Sequence, residues 1–128
     1  MPKTYDQACP IARTLEVLGD RWTLLIVRDL FIGMTRFKQF LASSPGLPTK
    51  ILSDRLKRLE ARGIIERIIY SQHPLRAEYR LTAKGRSLEP VLDALARWGL
   101  EHYFDAQERA AIAEYIQRLK QTGAPAST

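Results

Sequence analysis

One stretch constrains the fold more than any other: RFKQFLASSPGLPTKILSDRLKRLEARGIIERIIY, residues 36–70. Leu52, Leu56 and Leu59 recur at i, i+4 and i+7, so the spacing predicts a helix that opens near Thr49, stops at Gly63 and buries one narrow seam. Just before it, RFKQFLA reads as a shorter helix that Thr35 can cap, with Phe37, Phe40 and Leu41 on its buried face and SSPG as the break. Helix, short turn, helix is therefore the predicted centre of the chain. After Gly63 the period changes. IIERIIY and RAEYRL are rich in β-branched and aromatic residues and flank SQHP, which predicts a two-stranded hairpin. Ala77, Tyr79 and Leu81 alternate with Arg76, Glu78 and Arg80, which puts the cations on one face of that hairpin.

Upstream, Cys9-Pro10 opens a helix with Ile11, Leu15 and Leu18 as its stripe and Gly19 at its end. Asp20 can cap a second helix, RWTLLIVRDLF, which is apolar on most sides, belongs at the centre of the core and ends at Gly33. Downstream, Thr82 is expected to cap one long helix carrying Leu88, Val91, Leu92 and Leu95 on one side, bent near its start by Pro90. Trp98 and Tyr103 extend its apolar surface. Asp105 and Glu108 have capping-box spacing and open a last helix through Ile112, Ile116 and Leu119. No repeat, low-complexity tract or linker divides the chain, so residues 1–122 are expected to form one domain and residues 123–128 a flexible tail. The fold class is mainly α with a small β-hairpin wing: a winged helix-turn-helix with extra N- and C-terminal dimerisation helices.

The leucine seam occupies one side of its helix, and most of the remainder is charged. Between Thr49 and Arg62 five cations stand against two carboxylates, and the whole chain carries +6. Such an excess favours nucleic acid or an anionic surface as partner. Cys9 is the only cysteine, which excludes an internal disulfide and a thiolate-rich metal site and points to a reducing compartment. Apolar runs such as LLIV are too short to span a bilayer, and MPKTYDQAC has no apolar signal region, so no membrane association and a cytoplasmic location are expected. There is no Gly-rich phosphate loop, nucleophile elbow or zinc spacing, and neither His73 in the wing turn nor His102 has another ligand type near it in sequence. The chain is thus expected to be no enzyme and to hold no metal or cofactor. Trp22 and Trp98 fall on apolar faces and are expected to pack in the core, which leaves no stacking platform for RNA.

The order of elements describes a winged helix: a recognition helix that fits the major groove of B-DNA, and beside it a hairpin that reaches the backbone or the narrower groove. The residues also carry a resemblance. Through CPI, LGDRWTLLIVRDLFIGMTRF, LSDRLKRLEARGIIER, PLRAEYRLTAKG and LARWG, in order from about Cys9 to Trp98, the chain resembles the HxlR family of winged-helix bacterial transcription regulators. The resemblance implies a homodimer that binds double-stranded DNA at an operator. It also implies a sensor role toward oxidants or electrophiles for the cysteine of the N-terminal Cys-Pro segment, here Cys9. The family's recognition helix often begins Ser-Pro-Lys-Thr, whereas this chain has Pro48, Thr49, Lys50 and Ile51; the usual serine cap is absent and an apolar side chain replaces a polar one.

Around the leucine seam, Lys50, Asp54, Lys57, Arg58 and Ala61 point away from the core, and Thr49 and Ser53 lie at the leading end and flank. In a groove, Lys50 can read guanine or hold a phosphate, Thr49 and Ser53 can donate to either, and Asp54 can accept from a cytosine amino group. A solvated face with an Asp54–Arg58 pair is the alternative. Arg76, on the wing, is placed for a backbone or minor-groove contact. Arg36 and Arg55 are phosphate candidates, or residues that lock helices together through their stems. A dimer is expected through Ile11 and Leu15 of the first helix and Leu95, Trp98, Tyr103, Ile112, Ile116 and Leu119 of the last two, which carry more apolar surface than the helix-turn-helix and wing need. Cys9 stands at a helix N-terminus, a setting that suits reactive cysteines; it can form an adduct, a sulfenic acid or a bridge to another chain, or pack inertly. A winged helix that binds only another protein is the other function class open to this fold.

Overall fold

The computed structural model describes residues 8–121, with side chains through residue 118. Helix α1 is Pro10–Leu18. Pro10 sits in its first turn, where a missing N–H leaves no bond unmade, and the Cys9 sulfur accepts from the Ala12 N–H at 3.5 Å. Helix α2, Thr23–Ile32, starts later than Asp20 alone predicts. The Asp20 carboxylate caps it across a turn, one oxygen accepting from the Trp22 and Thr23 N–H groups (both 2.9 Å) and the other from the Thr23 hydroxyl (2.5 Å). Thr23, Ile26, Val27, Asp29 and Leu30 of α2 are buried, and Gly33 ends it at φ 113°, a conformation that favours glycine.

Helix α3 is Phe37–Ser43. Its cap differs from the expected one: Arg36, not Thr35, holds the N-cap position. Gln39 reaches back from inside the helix, and its Oε1 accepts from the Thr35 and Arg36 N–H groups, both at 2.9 Å. The Ser43 hydroxyl donates to Asp29 at 2.8 Å and Arg28 holds the same carboxylate oxygen at 2.9 Å, which ties α3 to α2. Helix α4, Thr49–Ala61, follows with Pro48 as its N-cap and Leu52, Leu56 and Leu59 fully buried.

Strands β1, Ile65–Gln72, and β2, Leu75–Leu81, pair antiparallel with Ile65 opposite Leu81 and Ile68 opposite Glu78; Tyr70 is the extra residue of a bulge. The base of this wing is latched to the end of α4. The Thr82 hydroxyl donates to the Gly63 carbonyl at 2.5 Å, and Lys84 Nζ to the Arg62 carbonyl at 2.7 Å.

The single long helix expected from Thr82 is two helices, α5 (Ala83–Arg86) and α6 (Glu89–Tyr103). Thr82 caps only the short one, accepting from the Gly85 N–H at 3.1 Å. Pro90 explains the break: its ring would collide with the carbonyl four residues back in a continuous helix and it has no N–H to donate, whereas the first turn of a new helix tolerates both. Helix α7, Ala106–Gln121, opens with the predicted reciprocal bonds between Asp105 and Glu108, 2.8 and 2.9 Å.

The core gathers Leu18, Ile26, Val27, Leu30, Phe40, Leu47, the α4 seam, Ile64, Ile65 and Leu81, with Trp22, Leu88 and Leu92 packed against it. Trp98 is not part of it. On α6 it is 57% exposed, a correction to its expected core role, because α6 meets the core only through its first turns. The side chain of Leu119 and residues 122–128, the expected tail included, lie outside the described residues. Among the described residues no helix is long and apolar enough to cross a membrane, and no group of three His, Cys, Asp or Glu side chains is placed to hold a metal ion.

Candidate nucleic-acid interface

With the leucine seam buried, α4 divides its charged side chains into two sets. Thr49, Lys50, Asp54, Lys57 and Arg58 are exposed and Ser53 is partly so. Lys50 and Lys57 enter no ion pair among the described residues. Arg55, by contrast, is turned inward with only 19% of its side chain exposed, its Nε 3.0 Å from Asp20 Oδ2 and its guanidinium also on Asp54. Together with Arg58 and Arg62 it borders a small cleft that Val17 and Thr23 close from α1 and α2. Arg58 Nη2 donates to the Glu16 carbonyl at 3.4 Å, while Asp54 pairs with Arg55, so the Asp54–Arg58 pair of the alternative reading is not formed. Arg55 locks α4 to the start of α2, and of the outward charged side chains Lys50 and Lys57 keep no ion pair or hydrogen bond among the described residues.

Asp20 sits at that lock. Burial alone would raise its pKa, but the Thr23 hydroxyl, the Trp22 and Thr23 N–H groups and Arg55 together hold it below the ordinary value of 3.8. A folded-state pKa below the unfolded one gives stability that is complete above the unfolded value and is lost as pH falls through the folded one. Asp20→Ala should therefore flatten the acid limb of the unfolding curve and cost about 1–2 kcal/mol at neutral pH, as for a lost cap. Chemical denaturation from pH 2 to 7 checks this; a variant whose acid limb overlays the wild type would remove Asp20 from the lock.

The wing stands beside α4. Arg76 is exposed near the hairpin tip, opposite Ser71, and forms no ion pair among the described residues. Arg36 lies on the wing rather than free at the head of α3: its Nε is 3.6 Å from Glu78 and its guanidinium lies 5.0 Å from the centre of the Tyr70 ring. Arg80 reaches the same carboxylate at 3.5 Å. The opposite wing face packs inward through Tyr79, whose ring meets Phe40 edge-on at 6.3 Å. Burial holds the Tyr79 phenol above its ordinary pKa, with Arg67 opposing and Glu60 adding to the effect. The grouping of Arg36, Tyr70, Glu78 and Arg80 escaped the sequence reading. Alternation placed Glu78 between two arginines, but nothing in the spacing brings residue 36 to them.

The expected dimer residues are for the most part exposed. Ile11, Leu15, Leu95, Trp98, Tyr103 and Ile116 are all exposed large apolar side chains, and Ile112 is half-buried. The Trp98 ring lies 4.8 Å from His102 and 5.7 Å from Tyr103, centre to centre. Cys9 is partly exposed at the head of α1, on the same helix as Ile11 and Leu15.

Comparison with known proteins matches the HxlR-like helix-turn-helix family over residues 17–108. The HTH-type transcriptional regulator sll1512 of Synechocystis sp. is 45% identical over 91 residues, covering 71% of this chain and 67% of that protein. Rv3095, an HTH-type transcriptional regulator of Mycobacterium tuberculosis, is 47% identical over 92 residues, 72% of this chain and 58% of the longer relative. Among solved structures, the oxidized form of the redox regulator HypR superposes with a TM-score of 0.69 at 35% identity, over 76% of this chain and all of that one.

Proposed function

Because the chain belongs to the HxlR-like helix-turn-helix family, whose members are transcriptional regulators and not enzymes, we propose that it is a cytoplasmic, sequence-specific regulator that binds double-stranded DNA as a homodimer at a roughly two-fold symmetric operator. The observation that carries this reading is the solvent-facing side of α4, with Thr49, Lys50, Ser53, Asp54, Lys57 and Arg58 exposed or partly exposed beside a wing that presents Arg76. An α-helix with such a face enters the major groove, and its cations release counterions from the phosphates they meet. One helix-turn-helix makes few base contacts, so a dimer reading two half-sites about 34–36 Å apart supplies the missing specificity. The apolar faces of α1, α6 and α7 supply the surface for pairing. In this reading Arg36 and Arg76 serve phosphates, and Arg55 acts indirectly by fixing the angle of α4.

Two substitutions separate the roles on this surface. Lys50→Ala should relax selectivity at particular base pairs, by roughly 1–3 kcal/mol if it makes a bidentate base contact. Arg76→Ala should weaken operator and random DNA alike and lower the salt slope by about one unit. Titrations across ionic strength with both DNAs make the comparison; if both variants bind like wild type, the surface is misplaced.

The same proposal gives Cys9 a regulatory role. Its sulfur caps α1, and a modified sulfur that no longer accepts from Ala12 would disturb the head of a helix that belongs to the pairing surface. HypR is a redox regulator in its own right, and that likeness supports the reading for this chain. Diamide or a quinone is expected to change operator affinity for wild type and leave Cys9→Ser unaffected. An equal response in both proteins would reduce Cys9 to a packing residue.

A further inference from the structure

Arg36 comes to the wing from outside it. Its backbone is extended, φ −117° and ψ 148°, and the Tyr79 N–H donates to the Thr35 carbonyl at 2.8 Å. Thr35 and Arg36 thus lie along the outer edge of β2, as the start of a third strand would. From there the Arg36 side chain reaches over the wing, where Tyr70 offers its ring at 5.0 Å and Glu78 its Oε2 at 3.6 Å. Arg80 approaches the other oxygen, Oε1, at 3.5 Å. Each carboxylate oxygen takes one arginine. Both arginines keep more than half of their side chains exposed, 55% and 59%, while Glu78 keeps 23%.

Exposed ion pairs of this kind contribute little to stability, so stability does not account for the arrangement. It does hold two long side chains in place. An arginine parked on an aromatic ring and against a carboxylate loses less freedom when it binds a ligand. Two guanidinium groups and one carboxylate leave a net charge of one. Glu66 stands opposite Arg80 in register but forms no ion pair among the described residues. Each guanidinium has five N–H donors, and the carboxylate engages only some of them.

Resting on the DNA-binding reading above, we infer that Arg36 and Arg80, spread by Glu78, are the two arms of a single phosphodiester site that bridges α3 and the wing. Tyr70 is the platform under the first arm. The site takes one phosphate of the duplex backbone, whose two non-bridging oxygens accept from the outward N–H groups of the two arginines. Its net charge is equal and opposite to that of one phosphate, and it joins the helix-turn-helix to the wing.

The test is a salt titration of duplex binding by Arg36→Ala, Arg80→Ala, the double variant and Lys50→Ala, with a methylphosphonate scan of the operator using wild-type protein and the two single arginine variants. Each single arginine variant should lose roughly tenfold in affinity at moderate salt, and its log–log salt slope should fall by about one unit. The double variant should fall by about one unit as well, because one phosphate is lost only once. In the scan, one neutralised phosphate per half-site should weaken wild type and leave Arg36→Ala and Arg80→Ala unchanged. A double variant whose slope falls by two units, with multiplied affinity losses, would show two separate phosphates and overturn the single site. So would an Arg80→Ala variant that behaves as wild type while Arg36→Ala does not. A normal response of Lys50→Ala beside silent arginine variants would sink this site and leave DNA binding standing. Absence of salt-dependent duplex binding by wild type would sink both. Should the substitutions unfold the protein, the scan on wild type still decides: no single sensitive phosphate beside the wing would overturn the site.

Discussion

Replacing Leu95 and Trp98 together by Glu is expected to yield monomers at micromolar concentration and to lower affinity for a two-half-site operator by roughly two to four orders of magnitude. Both side chains lie on α6, 52% and 57% exposed, so their removal leaves the core of the subunit intact. In the proposed dimer they belong to the apolar faces that also carry Leu15, Tyr103 and Ile116, and buried aromatic and aliphatic anchors dominate the energy of an interface. Four carboxylates facing one another across a two-fold axis would add repulsion and the cost of burying unpaired charge. The loss at the operator follows from linkage: once the subunits separate, the second half-site is no longer met at the millimolar effective concentration that a tethered partner provides, an advantage of about 10²–10⁴. Sedimentation velocity gives the first readout and DNA titration the second. A variant that remains a dimer would move the interface off α6, and a wild-type protein that sediments as a monomer at the same concentration would remove it altogether.

The second large effect belongs to the interior. Phe40→Ala should destabilise the fold by about 3–5 kcal/mol, a large part of the 5–15 kcal/mol typical of a domain. Phe40 is fully buried and is the one side chain of α3 that is. Its ring meets Tyr79 of the wing edge-on, with 66° between the planes, so its loss opens a cavity shared by the helix-turn-helix and the hairpin. Thermal unfolding should fall by roughly 10–20 °C. Phe37→Ala, at a half-buried position of the same helix, should cost distinctly less. Equal losses for the two phenylalanines would mean that α3 is anchored differently from the packing described above.

Much of the site was legible in the residues. The Leu52, Leu56, Leu59 seam fixed which side of α4 turns inward, and its complement is the exposed face of Thr49, Lys50, Asp54 and Lys57. The change of period after Gly63 located the hairpin, and the alternation in RAEYRL placed Arg76, Glu78 and Arg80 on one face. The pairing of these groups was not legible. Arg55 looks from spacing like any cation flanking a helical seam, and only the turn that brings Asp20 to within 3.0 Å makes it a lock. Arg36 looks like a free basic residue at a helix head, and only the Tyr79 to Thr35 hydrogen bond carries it across the wing to Glu78 and Tyr70.

The division has a physical cause. Periodicity records which side of each element is apolar, because burial acts on one residue at a time and leaves its mark at 3.6 or 2 residues per repeat. By itself the chain therefore determined the helix-turn-helix and the hairpin, the buried seam of α4 and the surplus of positive charge left over. Hydrogen bonds and ion pairs between distant segments depend on where two backbones meet, and that is set by packing rather than by spacing along the chain. The tertiary structure alone decided that the segment after Thr82 breaks at Pro90 into two helices, that Trp98 faces outward, and that Arg36 and Arg80 converge on one carboxylate.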